Sequence, residues 1–211
     1  MHTIKRTHTP KDHLINDIVD LEWWMFDRVN NIGGRAGCQN DSRTFYIMRY
    51  SQFFAWPVDA LESYKQDLLD AQAEGRNLLT EKYAYMMAYT DPRTYEATIR
   101  GRIPEVSVEK AQLVDAIAAL LTADEQAFAA QYPRLHHRGR PVEGAEAGNV
   151  SMNVYALGEL KTYSEQTLRL YAAHLLDLKK SGGENISVTI HRAMVSFYGY
   201  ASLEAAEAGQ G

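Results

Sequence analysis

Cysteine is almost absent from this sequence. Of its 211 residues only Cys38 is a cysteine, which excludes an intrachain disulfide and fits a reducing compartment. Long hydrophobic runs are missing as well, because no apolar stretch approaches the ~18 residues that span a bilayer. The start, from Met1 to Arg6, lacks the apolar run of a signal peptide. We therefore expect a cytoplasmic protein that does not enter a membrane.

An excess of positive charge is also missing. The net charge is −5, whereas a nucleic-acid-binding protein usually presents a basic face, so we expect no nucleic-acid partner. The sequence lacks the Glu-x-x-His pairs of di-iron bundles, the His-Glu-x-x-His motif and any set of cysteine ligands. A metal is therefore not predicted, and no pattern specifies another cofactor or an oligomeric state.

What the sequence does contain is a series of segments with helical periodicity. Helices are predicted where apolar residues recur every three to four positions behind a capping residue or a proline. They cover residues 10–30, Asp41 or Ser42 to about Ala55, 58–74, Asn77 or Thr80 to about Tyr89, and Ser107 through Leu121. Thr122 to Glu125 has the form of a capping box, so we expect a separate short helix to Gln131.

The C-terminal third begins with a long connection. Residues 133–150 are rich in proline, glycine and charge and are predicted to form a loop. A long helix containing Tyr163 and ending at Gly182 follows. Residues 186–200 fit a strand or a helix, and a helix behind an Asn185 cap is preferred. The tail from about 205 is expected to fray. Together these segments predict an all-α fold, a single-domain bundle of about seven to eight helices with a long loop near 133–150.

Glu22 is the residue that points most directly to a site. On a helical wheel it lies in the middle of an apolar face that includes Ile18, Val19 and Phe26. A carboxylate in a core is unfavourable unless it is paired, hydrogen bonded or protonated. Perturbed carboxylates also cluster at functional sites. Glu22 is therefore a candidate acid/base residue.

Arg49 repeats this pattern with the opposite charge. Its helical neighbours Phe45, Tyr46 and Phe53 are aromatic, so its guanidinium needs a buried carboxylate or an anionic ligand. Two interpretations are open. Glu22 and Arg49 form a structural ion pair between adjacent helices, or both face a pocket. In either case we predict that both are mostly buried and within direct or one-water reach.

Three further candidates are Lys82, Arg35 and Cys38. Lys82 sits among apolar residues, and we expect its stem to lie along apolar surface with its amine in water, where it can help to hold an anion. The glycine-rich connection 31–41 contains Arg35 and Cys38. Its amides and Arg35 can bind an anion. Cys38, shortly before a helix, is either an activated nucleophile or an inert packed thiol.

The loop near 133–150 contains a basic cluster, namely His136, His137, Arg138 and Arg140. This composition suits recognition of phosphate or carboxylate, with histidine available for proton transfer. The alternative is a solvated basic loop. Because a loop of this length in a small helical domain is usually functional or disordered, we expect it to fold over the Glu22–Arg49 region and complete one concave site.

Several of these segments resemble one family. They are Glu22 to Phe26, Gly33 to Asp41, Phe45 to Arg49, Glu81 to Met87, Leu135 to Pro141 and Tyr198 to Glu204. They are similar to the bacterial domain-of-unknown-function family 4125, and the resemblance covers nearly the whole chain. It implies a bacterial origin and no particular reaction.

The residues together favour a metal-independent enzyme that acts on a small anionic molecule in a helical pocket. The catalytic candidates are Glu22, Cys38, His136 and His137, and the substrate-binding candidates are Arg35, Arg49, Lys82, Arg138 and Arg140. Two alternatives use the same residues. One is a non-catalytic small-molecule-binding module, and the other is an interaction protein in which Glu22–Arg49 is a structural ion pair.

Overall fold

A computed structural model of the chain describes residues 5–30, 34–146 and 149–209. Within these ranges there are eleven α-helices: α1 (Pro10–Phe26), α2 (Ser42–Phe54), α3 (Val58–Ala73), α4 (Leu78–Thr90), α5 (Pro92–Thr94), α6 (Val108–Gln131), α7 (Pro133–His136), α8 (Met152–Leu160), α9 (Glu165–Ser181), α10 (Ile186–Phe197) and α11 (Leu203–Ala208). Two strands, β1 (Ala145–Glu146) and β2 (Asn149–Val150), pair antiparallel. The all-α prediction is confirmed. Seven to eight helices is a slight undercount, because α5, α7 and α11 are too short to leave a periodic pattern.

Most helix starts follow local capping chemistry. Side chains of Asp41, Asn77 and Ser107 accept the backbone N–H three residues ahead at the starts of α2, α4 and α6, as predicted. The first helix, α1, ends at Phe26 instead of residue 30. At this helix end the side-chain amide of Gln39 donates to the carbonyl oxygens of Phe26 and Val29 at 2.9 Å each. Residues 31–33 of the predicted glycine-rich connection lie outside the described residues.

Two predicted boundaries in the C-terminal half are wrong. The capping box predicted at Thr122 does not start a helix, since α6 continues through it and the side chains of Asp124 and Glu125 pair with other helices. The long helix predicted around Tyr163 is two helices, α8 and α9. The hydroxyl of Ser164 caps α9 by accepting the N–H of Thr167 at 3.2 Å, which ends the continuity at residues 161–164.

The predicted long loop and frayed tail are also wrong in part. Residues 133–150 contain α7 and the β1–β2 hairpin, and the tail forms α11. These two pieces order each other, because the Glu207 carboxylate accepts the backbone N–H groups of Arg134 and Leu135 at 2.9 and 2.6 Å. Residues 186–197 are helical behind an Asn185 cap, which confirms the preferred interpretation.

The main core lies between α1, α2, α3, α4, α6, α8 and α9, and it is rich in aromatic side chains such as Tyr46, Phe53 and Trp56. A smaller cluster around Phe128 and Leu203 joins α6, α10 and α11. None of the helices in the described ranges has the length and hydrophobicity of a membrane span. Whether the chain is one domain stays a prediction.

Candidate functional site

A two-pronged ion pair joins α1 and α2. The guanidinium of Arg49 donates from Nε to Glu22 Oε2 at 2.7 Å and from Nη2 to Glu22 Oε1 at 2.5 Å. Glu22 is fully buried and Arg49 is 5% exposed. Their predicted burial and direct contact are confirmed. Two parallel N–H···O bonds are the strongest geometry for this pair.

A second carboxylate, missed in the sequence, completes the site. Arg49 Nη1 donates to both oxygens of Glu159 on α8, at 3.0 and 2.9 Å. Gln52 Nε2 and the hydroxyl of Tyr163 each donate to Glu159 Oε1 at 2.6 Å. Glu159 therefore connects α8 to α2. With the Lys82 amine on α4 included, its two oxygens accept five hydrogen bonds from four residues.

Lys82 on α4 is the second cation of this group. Its amine donates to Glu159 Oε2, and its side chain is 2% exposed. The prediction that the amine reaches water is therefore wrong, because a buried carboxylate holds it inside. The two carboxylates Glu22 and Glu159 balance the two cations Arg49 and Lys82, so the group is electrically neutral as a whole. We call these four residues the buried tetrad.

Burial and pairing act in opposite directions on the tetrad. Burial alone would lower the pKa of Arg49, but Glu159 and Glu22 outweigh it and hold that pKa well above its ordinary value. Burial would raise the pKa of Glu159, but Arg49 and Lys82 reverse this and hold it far below its ordinary value. For Lys82 burial prevails over the attraction of Glu159, and its pKa is lowered. Lys82 is thus the tetrad cation that is most readily deprotonated.

Tyrosine hydroxyls close the remaining side of the tetrad. Tyr64 on α3 donates to Glu22 Oε1 at 2.7 Å. Burial, with Glu22 or Glu159 nearby, raises the pKa of Tyr64 and of Tyr163 well above the ordinary value, so both hydroxyls stay protonated as donors. The four helices that carry the tetrad are consequently locked to α3 and to the α8–α9 turn.

From Lys82 the polar chain continues outward to Tyr155 on α8. The amine lies 3.5 Å from the centroid of the Tyr155 ring, and the exposed guanidinium of Arg140 lies 5.2 Å from the same centroid. Burial raises the pKa of Tyr83, with further contributions from nearby Tyr155 and Cys38. Cys38 itself is exposed. We call Cys38, Tyr83, Arg140 and Tyr155 the outer cluster.

A cavity of about 30 Å³ lies on the tetrad's inner border. Its polar lining comes from Gln52, Trp56, Glu159, Tyr163 and Tyr171. The rest of its wall is apolar and comes from α6 and α8. This volume is enough for one or two water molecules and far below the ~300 Å³ of a typical ligand pocket. The cavity itself is too small for a substrate, and a pocket of substrate size around Glu22 and Arg49 stays a prediction.

Arg35 belongs to a different contact. Its Nη2 pairs with Asp27 Oδ1 at 2.5 Å, and its Nε donates to Asn40 Oδ1 at 2.8 Å. These bonds link Arg35 to the C-terminal end of α1 and to Asn40 before α2. Arg35 is consequently tied to the end of α1 and has no contact with the tetrad.

The side chains of the basic cluster, residues 136–140, do not lie together in the structure. His136 and His191 lie 3.8 and 3.2 Å from Glu125 Oε1, in the region of α6, α7 and α10. His137 and Arg138 are exposed, and the side chain of Arg138 lies near Gly209 at the end of α11. Only Arg140 approaches the tetrad, through Tyr155. The expectation that this whole segment closes over Glu22 and Arg49 is therefore wrong for His136 and Arg138.

The arrangement can do two things chemically. In the tetrad, Arg49 and Lys82 form ion pairs with Glu22 and Glu159 inside the bundle. The outer cluster presents one exposed cation, Arg140, and one exposed thiol, Cys38. Over the described ranges there is no group of three or more histidine, cysteine, aspartate or glutamate side chains placed to hold a metal ion.

Fold and site together define an all-helical protein with a neutral ionic network in its core. The chain belongs to the family described as "Protein of unknown function (DUF4125)", whose model matches residues 12–208. No curated protein and no solved structure matches the chain. The family resemblance predicted from the sequence is confirmed, and the bacterial origin that it implied stays a prediction.

Proposed function

We propose that the protein acts on a small anionic molecule that docks at the outer cluster. Arg140 holds the anion, and Lys82 transfers a proton at the inner side of Tyr155. The observation that carries the proposal is the shared contact of Lys82 and Arg140 with one tyrosine ring, at 3.5 and 5.2 Å. Two cations converging on one aromatic ring next to an exposed surface favour an anionic ligand.

The proposed division of labour differs from the one that the sequence favoured. Arg49 is paired with both Glu22 and Glu159. Glu22 and Arg49 therefore support the site and do not contact the ligand. Lys82 is the better candidate for proton transfer, since burial lowers its pKa below the ordinary value for lysine. Glu159 positions the Lys82 amine.

Arg140 is suited to the ligand because most of its donors make no hydrogen bond to the part of the chain that the structure describes. Its Nη1 donates to the carbonyl oxygen of Val150 at 3.2 Å, and the side chain is exposed. Guanidinium groups bind carboxylate and phosphate through two parallel N–H donors. A cytoplasmic location and a bacterial source complete the proposal. The single cysteine supports the first, and the family resemblance supports the second.

Native mass spectrometry of the purified chain tests this function. The wild-type protein is expected to carry a small molecule that is released on unfolding, and Arg140→Ala is expected to lose it. Arg138→Ala is the matched control, because this exposed arginine stands two residues away and lies by α11. Equal ligand content in the two variants would contradict the proposal.

An architectural function for the tetrad is the second candidate. The observation that favours it is the saturation of Arg49, whose Nε, Nη1 and Nη2 all donate to carboxylates. In that case the protein works through another surface and the tetrad serves to fix α1, α2, α4 and α8. Protein that carries no small molecule, while substitutions in the tetrad change only stability, would favour this candidate.

A further inference from the structure

Trp56 carries a hydrogen-bond donor that the core does not satisfy. Its side chain is 1% exposed, and its indole Nε1 makes no hydrogen bond with any of the described residues. The ring stacks on Tyr171, with centroids 4.2 Å apart and planes inclined by 23°. The Tyr171 hydroxyl is close to the indole but does not hydrogen bond with its N–H. Buried donors in native proteins are almost always paired with protein or with ordered water.

The cavity of about 30 Å³ beside Glu159 is lined by this same indole. A buried water needs roughly 10–15 Å³ of such volume and two to four polar partners. The lining supplies them, because the Glu159 carboxylate and the Tyr171 hydroxyl share the cavity with Trp56. An apolar cavity of this size would stay dry, whereas this one has polar groups on several sides.

We propose that a buried water molecule is held in this cavity as part of the native core. Its oxygen accepts the N–H of Trp56, and its own hydrogens are donated to Glu159 and Tyr171. The water thereby supplies the hydrogen bond that the indole lacks. It also adds a donor to the carboxylate that pairs with Arg49 and Lys82. This inference does not depend on the proposed ligand at the outer cluster.

A double-mutant cycle separates a wet cavity from a dry one. Ala156 lines the cavity, so Ala156→Val fills it, and Trp56→Phe removes the donor while keeping an aromatic ring. In the wild-type background Ala156→Val displaces the water and leaves the indole N–H without an acceptor. The denaturation midpoint is therefore expected to fall. In the Trp56→Phe background the same change fills apolar space, and the midpoint is expected to hold or rise. An equal shift in both backgrounds would overturn the proposal.

Nuclear magnetic resonance of the unmodified protein gives a test that needs no variant to fold. The chain has three tryptophans, and Trp23 and Trp24 provide reference indole signals. The Trp56 indole proton is expected to show a nuclear Overhauser effect to a long-lived water and slow exchange with solvent. Slow exchange without any water contact at Trp56 would show that the cavity is dry and overturn the proposal.

Discussion

The guanidinium of Arg49 clasps Glu22 through two hydrogen bonds of 2.7 and 2.5 Å, with both side chains removed from water. Its third nitrogen turns to Glu159, so one arginine neutralises charge on two helices. Besides these carboxylates Arg49 donates to the side-chain oxygen of Gln52 at 2.8 Å, which lies on its own helix. The pairing with Glu22 and Glu159 therefore makes α1, α2 and α8 mutually dependent.

The Glu22–Arg49 pair should show strong energetic coupling. Arg49→Met leaves two buried carboxylates facing Lys82 alone, and we expect it to lower the free energy of unfolding by about 3–5 kcal/mol. Glu22→Gln alone should also destabilise, because it leaves excess positive charge. The double variant keeps Glu159 and Lys82 balanced, so its loss should be clearly smaller than the sum of the two. Urea denaturation of the four proteins measures this, and additive losses would contradict the pairing.

Glu159 should make the acid stability of the protein steep. Burial would raise its pKa, but Arg49 and Lys82 hold the pKa far below the ordinary 4.5. A carboxyl group with a depressed folded-state pKa contributes stability above its unfolded pKa and loses it as the pH falls. Stability should therefore drop below about pH 4.5, and Glu159→Gln should flatten this acid limb while lowering stability at neutral pH by about 3–5 kcal/mol. Acid limbs of equal steepness in the two proteins would refute the assignment.

Gly158 should be essential for the approach of α8 to α4. A methyl group there would lie 2.4 Å from Met86 Cγ and 2.9 Å from the carbonyl oxygen of Lys82, so the helices would have to separate. We expect Gly158→Ala to destabilise by about 1–3 kcal/mol through overpacking. Gly101→Ala is the control, since its methyl group would meet no atom within 4 Å. Equal thermal midpoints for the two variants would show that the contact is not tight.

Cys38 should react with an alkylating reagent in the folded protein, because its side chain is exposed. Unfolding should accelerate the reaction little, and a ligand at the outer cluster should slow it, since Cys38 lies near Tyr83. If the thiol is also activated, native labelling will exceed the rate of free cysteine. Labelling that is slow until urea is added would instead identify a packed thiol, and mass spectrometry distinguishes the two cases.

The sequence predicted those features whose causes are local. Asp41, Asn77 and Ser107 start helices because a side-chain oxygen reaches an amide three residues ahead, which sequence spacing reveals. The capping box predicted at Thr122 is wrong because contacts that are distant in sequence override the local pattern. Its carboxylates are drawn to Lys179 and His191, which are distant in sequence and therefore invisible to a local pattern.

The sequence predicted the contact between Glu22 and Arg49 but not Glu159, the second carboxylate partner of Arg49. Glu22 and Arg49 were found because each stands alone on an apolar helical face. Glu159 stands in the same way between Leu157 and Leu160, and the same argument could have found it. Because the sequence predicted one long helix in place of α8 and α9, the apolar face of α8 that contains Glu159 was not recognised. Lys82 was misjudged because its burial depends on that missed carboxylate.

The most direct test of a ligand site at the outer cluster is a pH titration of the Lys82 side chain by carbon-detected nuclear magnetic resonance. The titration is run with and without the molecule released from the native protein. We expect the Lys82 pKa to lie below those of the exposed lysines, because burial outweighs Glu159, and to rise when the anionic ligand binds near Tyr155. A Lys82 signal and pKa that do not respond to saturating ligand would contradict a ligand site at the outer cluster.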